Sequence, residues 1–259
     1  MKQNKWLVGT VVLVLVIILG PLIILVTAAF SDTNTLTFPP QGFSLKWFDY
    51  VLFSGQFMDS LITSLKVSLL ATIISLILGV PVAYALVRFQ FKGREFFETF
   101  FSLPFLVPWL VVGFSMLRFY VLVGKLDVFT SLILGHAAVI FPYGVRVVSA
   151  SLRNLDTGIE EAAISLGANR IRAFFLVVLP NIQSGILAAF IMAYISAFNN
   201  VPVALFLTGP GLSTLPITML TYISHHWDPS IAAISTVTII LSVSIVIGAE
   251  RSLGLSKFV

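Results

Sequence analysis

The sequence predicts an all-α polytopic membrane protein with six transmembrane helices. Hydrophobic residues make up 58% of its 259 residues, charged residues make up 10%, and the mean hydropathy is +1.04. This is more apolar surface than a single soluble core can bury. The apolar residues also fall into six separate runs, each long enough for a helix that crosses a bilayer. Residues 1–259 are therefore expected to form a single transmembrane domain.

The six predicted spans are separated by loops that are polar, basic, or rich in proline and glycine. The spans cover about residues 6–30, 61–87, 99–123, 129–150, 182–207 and 230–249, and residues 31–59 and 209–229 are the loops predicted on one side. The first run follows Lys2 and Lys5, and Thr27-Ala28-Ala29 has the small residues of a signal-peptide cleavage site. The run is longer than the apolar segment of a usual signal peptide, so an uncleaved first span is favoured.

Prolines interrupt the later spans, where each removes a backbone hydrogen bond. They are Pro81, Pro104, Pro108, Pro142 and Pro202. In a bilayer the freed carbonyls need partners from neighbouring helices or from a water-filled path, so kinked helices can line a translocation route. Packing between helices is the alternative explanation, because proline is common in transmembrane helices.

Basic residues distinguish the two sides of the membrane. Eleven lie on one side: Lys2, Lys5, Arg88, Lys92, Arg94, Arg146, Arg153, Arg170, Arg172, Arg251 and Lys257. Three lie on the other side, Lys46, Arg118 and Lys125, while Lys66 lies within a span. Since cytoplasmic loops carry the excess of lysine and arginine, both termini and residues 156–180 are expected in the cytoplasm.

Residues 156–180, DTGIEEAAISLGANRIRAFFLVVLP, form a charged segment between long apolar runs. Thr157 and Glu160 have the spacing of a capping box, which predicts the start of a helix, and Gly167 predicts its end. The residues spaced to share one face of this helix are Ile159, Ala162, Ala163 and Leu166. The segment is therefore expected to begin with a short amphipathic helix whose apolar strip is mostly alanine.

A second helix is predicted to follow the first. Asn169 is expected to cap it and Pro180 to break it, with Arg170 and Arg172 on the helix between them. The two helices should form an L that lies outside the bilayer. An ordinary surface helix between two spans would explain the cap and the amphipathic pattern, but less readily the ordered run of Ala-Ala, Gly and Leu-Pro.

That ordered run resembles a known motif. Glu161-Ala162-Ala163 is followed by Gly167, Val177 and Leu179-Pro180, and this order resembles the cytoplasmic EAA loop of permease subunits in type I ABC importers, which has Ile where Val177 stands. The resemblance implies the type I ABC importer permease fold and a coupling helix docked into an ATPase subunit. Alanine suits this use because it lets a helix seat closely in a groove on a partner. The implied coupling residues are Glu160, Glu161, Ala162, Ala163, Gly167, Leu179 and Pro180.

The resemblance also implies a function and a set of partners. The chain would be one transmembrane subunit of an ATP-driven, binding-protein-dependent importer in the bacterial plasma (inner) membrane, alternating between inward- and outward-facing states. The implied partners are a cytoplasmic ATPase dimer, a second homologous permease subunit, a periplasmic or lipid-anchored substrate-binding protein, and membrane lipid. A heterodimer of permeases is favoured over a homodimer. Nucleic acid is not expected as a partner, because the distribution of positive charge follows the membrane.

The sequence contains no convincing catalytic or metal-binding constellation. It has no G-x-x-x-x-G-K-[ST] motif and no cysteine, and its histidines are His136 within a span and the adjacent His225 and His226 in a loop. The chain is therefore expected not to be an enzyme and to carry no cofactor, with ATP and Mg²⁺ on the partner ATPase. All eleven Asp and Glu residues fall in loops, tails or span ends, whereas proton-coupled carriers place a carboxylate in mid-membrane. This distribution favours an ATP-driven complex over a secondary transporter, and the alternative function stays a stand-alone secondary transporter or channel.

The segment 194–210, YISAFNNVPVALFLTGP, resembles the permeases of polyamine importers and of their opine and phosphonate relatives. Polyamine permeases place acidic residues where Asn199 and Asn200 stand, and an amide cannot neutralise an ammonium group. The resemblance implies a small polar solute, a polyamine such as spermidine or putrescine, whereas the two amides favour a zwitterion such as an aminophosphonate or opine. The candidate pathway residues are Ser196, Asn199, Asn200, Pro202 and Lys66. Hydrogen bonding between helices is the alternative role for the two amides, and snorkelling to the membrane surface is the alternative for Lys66.

Overall fold

The computed structural model describes residues 5–124 and 126–253, and within them the chain is helical and forms no β-strand. In chain order the helices are α1 (Lys5–Ala28), α2 (Lys46–Phe53), α3 (Gly55–Arg88), α4 (Arg94–Phe100), α5 (Trp109–Val123), α6 (Val128–Asn154), α7 (Thr157–Ser165), α8 (Arg170–Ala173), α9 (Leu179–Asn181), α10 (Gln183–Phe198), α11 (Val201–Leu207), α12 (Leu215–Ile223) and α13 (Ser230–Leu253). A 3₁₀ turn, Leu103–Phe105, follows α4, and a π-helical turn, Phe174–Val178, joins α8 to α9. The predicted all-α class is confirmed. Lys2, Lys125 and Lys257, on which the predicted orientation partly depends, lie outside the described residues.

Several of these helices are suited to a bilayer. Four are long and apolar enough to cross a membrane: α1 from Val8 onward, α3, α6, and α13 as far as Gly248. The number rises to six if each of two bent pairs counts as one crossing. One pair is Arg94–Phe105 with α5, bent by 95°, and the other is Arg170–Asn181 with α10, bent by 71°. The chain is thus a multi-pass membrane protein.

The third predicted span, residues 99–123, is broken into two helices. α4 ends at Phe100, and α5 starts only at Trp109, directly after Pro108. Proline lacks a backbone N–H and pushes the residue before it out of the helical region. Pro104 and Pro108 therefore deny this stretch the hydrogen bonds of one continuous helix, and the two parts meet at 95°.

The fifth predicted span, residues 182–207, is also discontinuous. α10 ends at Phe198, and α11 begins at Val201. Asn200 caps α11, because its side-chain oxygen accepts a hydrogen bond from the Val203 N–H at 3.0 Å. An asparagine side chain that bonds to the backbone in this way competes with the helix, so the chain breaks at the amide pair.

The helices also occupy parts of the predicted loops. α3 begins at Gly55 instead of about residue 61, so Lys66 lies about three turns inside the helix. The Lys66 side chain is exposed. α2 lies within the predicted loop 31–59, and α12 lies within the predicted loop 209–229. Each of these two predicted loops therefore contains a short helix that was not predicted from the sequence.

The described residues divide into two compact units, of which the smaller comprises residues 5–60 and 218–245. Its core is aromatic. Phe57 is buried, with its ring centroid 6.4 Å from that of Tyr50 and 5.1 Å from that of Tyr222. Burial in this cluster raises the pKa of the Tyr222 hydroxyl.

The larger unit comprises Leu61–Ile217 together with residues 246–253. Its most buried helix is α6, whose buried side chains include Leu132, His136, Val139, Ile140, Val145, Val148 and Leu152. α6 crosses α3 where two glycines meet, since a Cβ added to Gly79 would lie 3.0 Å from the Cα of Gly144. This close approach fixes the packing of α3 against α6, and it brings the end of α3 to the loop that follows α6.

Candidate functional site

Helix α7 begins at Thr157, as the sequence predicts, but the predicted capping box between Thr157 and Glu160 does not form. The cap is Asp156, whose carboxylate accepts a hydrogen bond from the Gly158 N–H at 2.9 Å. Aspartate caps helices at least as well as threonine, and Asp156 comes one residue earlier, so Thr157 becomes the first helical residue. Glu160 is then available for a different contact.

Both carboxylate oxygens of Glu160 contact α3. Oε1 accepts a hydrogen bond from the Tyr84 hydroxyl, and Oε2 lies 3.3 Å from the Nε of Arg88. The Arg88 and Glu160 side chains are only 8% and 9% exposed. Arg88 also donates a hydrogen bond to the Leu155 carbonyl, which ends α6, at 3.0 Å. Tyr84, Arg88 and Glu160, which we call the Glu160 cluster, therefore join α7 to the ends of α3 and α6.

Aromatic rings surround the Glu160 cluster. The ring centroid of Tyr84 lies 4.6 Å from that of Phe174, in the π-helical turn, and 5.7 Å from that of Phe89. The Arg170 guanidinium lies 5.3 Å over the Phe89 ring, which is a cation–π contact. These contacts pack the start of α8 and the cluster on α7 against the end of α3. The segment 156–180 is therefore held against the membrane helices.

α7 ends at Ser165, and the chain turns away at Gly167, the residue predicted to end the helix. Gly167 has a φ of +95°, in the left-handed region that favours glycine, and the next N–H, that of Ala168, donates to the Ala163 carbonyl at 3.1 Å. The predicted cap at Asn169 is confirmed, since its side-chain oxygen accepts a hydrogen bond from the Arg172 N–H at 2.8 Å. The chain therefore turns sharply between α7 and α8.

Four large apolar side chains of this segment are partly or mostly exposed. They are Ile159, Ile164, Leu166 and Ile171, and Leu166 is 90% exposed. Glu161 and Ala162 are exposed as well, and Ala163 is half-buried. A surface helix of a soluble protein turns its apolar residues inward and its acids outward. α7 buries an acid and exposes isoleucines, which gives it a surface suited to a further partner.

The chain leaves the loop through a helix with an altered hydrogen-bond pattern. After α8, the π-helical turn leads into α9, and the bend of 71° follows. The bend lies at Ile182 and not at Pro180 as predicted, because the Asn181 side chain donates to the Val177 carbonyl at 2.7 Å and so holds a helical turn beyond the proline. Leu179 and Pro180 line an apolar groove of about 1080 Å³ beside α3.

The predicted pathway residues separate into two places. Ser196, Asn199, Asn200 and Pro202 lie at the break between α10 and α11, whereas Lys66 lies on α3. Asn200 is 1% exposed, and neither its Nδ2 nor the hydroxyl of Ser196 has a hydrogen-bond partner in the part of the chain that the structure describes. Asn199 is exposed and donates to the Ile195 carbonyl of its own helix at 3.0 Å. The break therefore offers polar groups with unused hydrogen-bonding capacity.

Two members of the Glu160 cluster were not predicted from the sequence. Tyr84 lies 76 residues from Glu160 along the chain, and no spacing pattern connects Tyr84 or Arg88 to it. The only available signal is chemical: Arg88 follows a membrane span, and an arginine buried there needs a carboxylate. Both Glu160 and Glu161 could have met that need, and the sequence does not distinguish them.

The histidines do not form a metal site within the described residues. His136 is buried, with its Nδ1 2.7 Å from the Leu132 carbonyl, and the His226 ring stacks on that of Tyr222 with centroids 4.3 Å apart. No group of three His, Asp or Glu side chains in residues 5–124 and 126–253 is placed to hold a metal ion. The polar groups of the Glu160 cluster are a carboxylate, a guanidinium and a phenol.

The sequence and fold match known proteins over most of the chain. Residues 44–253 match a family model described as the binding-protein-dependent transport system inner membrane component. The putrescine transport system permease protein PotI of Escherichia coli (strain K12) is 29% identical over 245 residues, covering 90% of this chain and 85% of PotI. The spermidine/putrescine transport system permease protein PotC of the same strain is 26% identical over 230 residues, covering 89% of this chain and 87% of PotC.

A solved structure has the same fold. It is the crystal structure of a bacterial ABC transporter involved in the import of the acidic polysaccharide alginate, one chain of which superposes with a TM-score of 0.76. The match covers 96% of this chain and 93% of that one, at 17% sequence identity. At this identity the likeness concerns the fold alone.

Proposed function

The chain belongs to the family of binding-protein-dependent transport system inner membrane components, and from this membership we propose that α7 couples it to an ATPase. The protein is a membrane permease subunit of an importer. The coupling proposal rests above all on one observation: α7 buries Glu160 and exposes Ile159 and Ile164. Apolar surface that the chain itself leaves uncovered is what a helix needs in order to seat in a groove of a soluble partner.

In the proposed mechanism an ATPase dimer receives the exposed face of α7. Glu161 and Ala162 face the ATPase, and Gly167 allows the tight turn that keeps α8 clear of it. Leu179 and Pro180 lie at the end of the segment that connects α7 and α8 to α10. When ATP closes the ATPase dimer, α7 is displaced and the permease passes between inward- and outward-facing states. ATP and Mg²⁺ bind to the ATPase, and this chain supplies no catalytic residue.

Positive charge supports a cytoplasmic location for α7. Arg88 belongs to the Glu160 cluster, Arg170 lies beside it, and Arg153 at the end of α6 pairs with Glu98 at 2.5 Å. Because cytoplasmic ends of membrane helices carry the excess of basic residues, α7 and both termini are assigned to the cytoplasmic side of a bacterial inner membrane.

Three partners complete the proposed importer. The description of the family supports a binding protein that delivers the solute, here proposed to be periplasmic or lipid-anchored, and a cytoplasmic ATPase dimer is proposed to drive the importer. A second, homologous permease forms the other wall of the pathway. A heterodimer of permeases is favoured over a homodimer, as the resemblance to polyamine-type importers implies.

The proposed solute is a small polar amine. PotI and PotC are named for putrescine and spermidine transport, which supports a polyamine. The amide pair Asn199 and Asn200 supports a solute with less positive charge, such as an aminophosphonate or opine, because amides can hydrogen-bond to it but cannot neutralise several ammonium groups. Putrescine, the smaller of the two polyamines, is the first solute to test.

The coupling proposal is tested in liposomes that contain the complete importer. Replacing Glu161 with Ala or Gly167 with Ala should lower transport and transport-coupled ATP hydrolysis by about 5- to 150-fold, the usual range of coupling between sites. Gly124→Ala is the matched control for the glycine: Gly124 also has a positive φ, +78°, with no atom within 4 Å of an added Cβ. Unchanged transport and hydrolysis in both coupling variants would remove the proposal.

The stand-alone carrier or channel makes the opposite prediction. The purified chain alone, in liposomes with an ion gradient and without ATP, should not take up putrescine if it is an importer subunit. Uptake that is driven by the gradient and indifferent to ATP would favour the carrier.

The solute is identified through the binding protein. Co-purification with the chain should recover the ATPase and the binding protein, and calorimetry on the binding protein should show binding of putrescine, spermidine, an aminophosphonate or an opine. Failure of all four would contradict the proposed solute class and leave the coupling proposal intact.

A further inference from the structure

The Glu160 cluster connects α7 to a helix that is long enough to cross the membrane. α3 runs from Gly55 to Arg88, and at about 1.5 Å per residue its 34 residues span roughly 50 Å. We propose that Glu160 is a positioning residue that transmits the displacement of α7 to α3, and that Glu161, its neighbour, serves the contact with the ATPase. This inference depends on the proposed coupling function of α7. It adds the contact through which a displacement of α7 would reach the membrane helix α3.

The burial of the ion pair separates it from the other ion pairs of the described residues. Lys46 pairs with Asp32 and Arg153 with Glu98, and all four of those side chains are 40% to 64% exposed. Exposed pairs of this kind contribute little, because water screens them. Breaking a buried pair leaves an uncompensated charge in a medium of low dielectric, so the Glu160–Arg88 contact resists separation.

Arg88 joins three helices at one guanidinium group. Nε contacts Glu160 of α7, and a terminal nitrogen donates to the Leu155 carbonyl at the end of α6. Tyr84, one turn before Arg88 on α3, donates to the other oxygen of Glu160 and packs on Phe174. If α7 moves, the end of α3 must follow or all of these contacts must break together.

The two adjacent glutamates of α7 are therefore assigned different roles. Glu160 has both oxygens engaged within the chain and is buried, so it is not available to a partner. Glu161 is exposed. The spacing of one residue along a helix turns the two carboxylates by about 100°, enough for one to face α3 while the other faces outward.

The first test replaces Glu160 with Gln in the complete importer, reconstituted with its ATPase, partner permease and binding protein. The amide keeps the shape and the acceptor for Tyr84 but leaves the buried charge of Arg88 without a counter-charge. We expect the ATPase to remain bound and active while putrescine transported per ATP hydrolysed falls by about 2- to 30-fold. Glu98→Gln, which removes an exposed ion pair, is the matched control and should leave this ratio unchanged.

A second readout needs no solute. The chain has no cysteine, so spin labels on Ser165→Cys in α7 and Ile73→Cys in α3 would be the only labels on it. With Glu160 present, the distance between the two labels should be the same without nucleotide and with ATP and vanadate, because α3 follows α7. With Glu160→Gln, the nucleotide should change or broaden that distance.

A double variant separates transmission from folding. Glu160→Leu with Arg88→Met removes both charges and keeps similar volume, so assembly and thermal stability should recover even if Glu160→Gln alone folds poorly. The ratio of transport to hydrolysis should stay low in this variant. Recovery of that ratio, or a label distance that does not depend on Glu160, would overturn the inference. A wild-type complex whose ATP hydrolysis drives no movement of α7 would instead contradict the coupling function on which the inference depends.

Discussion

Asn200 combines a useful hydrogen bond with an unused one. Its oxygen caps α11 through the Val203 N–H at 3.0 Å, while its buried Nδ2 has no partner in the described residues. Asn200 lies at the break between two helices, and broken helices at membrane depth are tolerated where they are buried in protein or line a cavity. Of the predicted pathway residues, Asn200 is thus the one best placed to offer a hydrogen bond to a solute.

Replacing Asn200 with Ala should destabilise the protein by about 1 kcal/mol, because α11 loses its cap. For a chain of this size the melting temperature should then fall by roughly 2–4 °C. Asn199→Ala is the control: Asn199 is exposed and bonds only within its own helix, to Ile195. Thermal unfolding in detergent measures both, and an equal loss in the two variants would contradict the different roles given to the two amides.

For single residues, the sequence predicts local turns and helix caps better than it predicts contacts between distant residues. The turn at Gly167 and the cap at Asn169 follow from local chemistry, because each residue acts on the backbone next to it. Glu160 also matched a local pattern, yet Asp156 takes the cap and Glu160 contacts Tyr84 and Arg88 instead. A contact between residues so far apart in the chain depends on how α3 and α7 pack, which spacing along one helix does not contain.

Among the helices, the crossing of α3 and α6 sets the position of the Glu160 cluster. Gly79 and Gly144 allow the two backbones to touch, and a Cβ on Gly79 would lie 3.0 Å from backbone atoms of Gly144. Backbone atoms cannot move aside as a flexible side chain can. The separation of these two helices is therefore fixed by the lack of side chains at the crossing.

Gly79→Ala should force α3 and α6 apart and destabilise the protein by about 1–3 kcal/mol. Gly20→Ala in α1 is the control, because no atom lies within 4 Å of an added Cβ there. We expect that variant to be neutral or slightly stabilised, since alanine favours a helix more than glycine does. Melting temperatures of the two variants decide the matter, and a stable Gly79→Ala protein would show that the crossing is not close-packed.

The breaks in the helices were predicted in part. Pro104 and Pro108 indicated an interruption of the third span. The size of the bend, 95°, was not predicted, because it depends on the packing of the two helices on either side of the prolines. Pro202 indicated an interruption of the fifth span, but not its position at Asn200, because the surrounding residues are apolar enough for one span. α2 was missed because its aromatic residues, such as Trp47, are as typical of an interfacial loop as of a short helix.

For the whole molecule, composition alone gives the membrane class. With 58% hydrophobic residues the chain has no other way to bury its apolar surface. The exposed face of α7 could not be predicted in the same way, because its meaning depends on a protein outside the chain. The residue pattern from Glu161 to Pro180 supplied that information only by its resemblance to a family.

The orientation of the whole molecule is a further prediction. The absence of cysteine allows single cysteines to be labelled with an impermeant maleimide in intact cells. We expect Gln41→Cys to be labelled from outside and Ser165→Cys in α7 to be protected until the cells are opened, because the distribution of basic residues predicts a cytoplasmic α7. Labelling of Ser165→Cys in intact cells would reverse the orientation and separate α7 from any cytoplasmic ATPase.

The π-helical turn Phe174–Val178 has an evolutionary consequence. Such a turn is what remains when a helix absorbs the insertion of a single residue without unwinding. A lineage that deleted one residue here would regain a regular α-helix but would rotate everything before it by about 100° relative to α10. The number of residues in this short stretch is therefore expected to be under selection, even where the identity of each apolar side chain is free to drift.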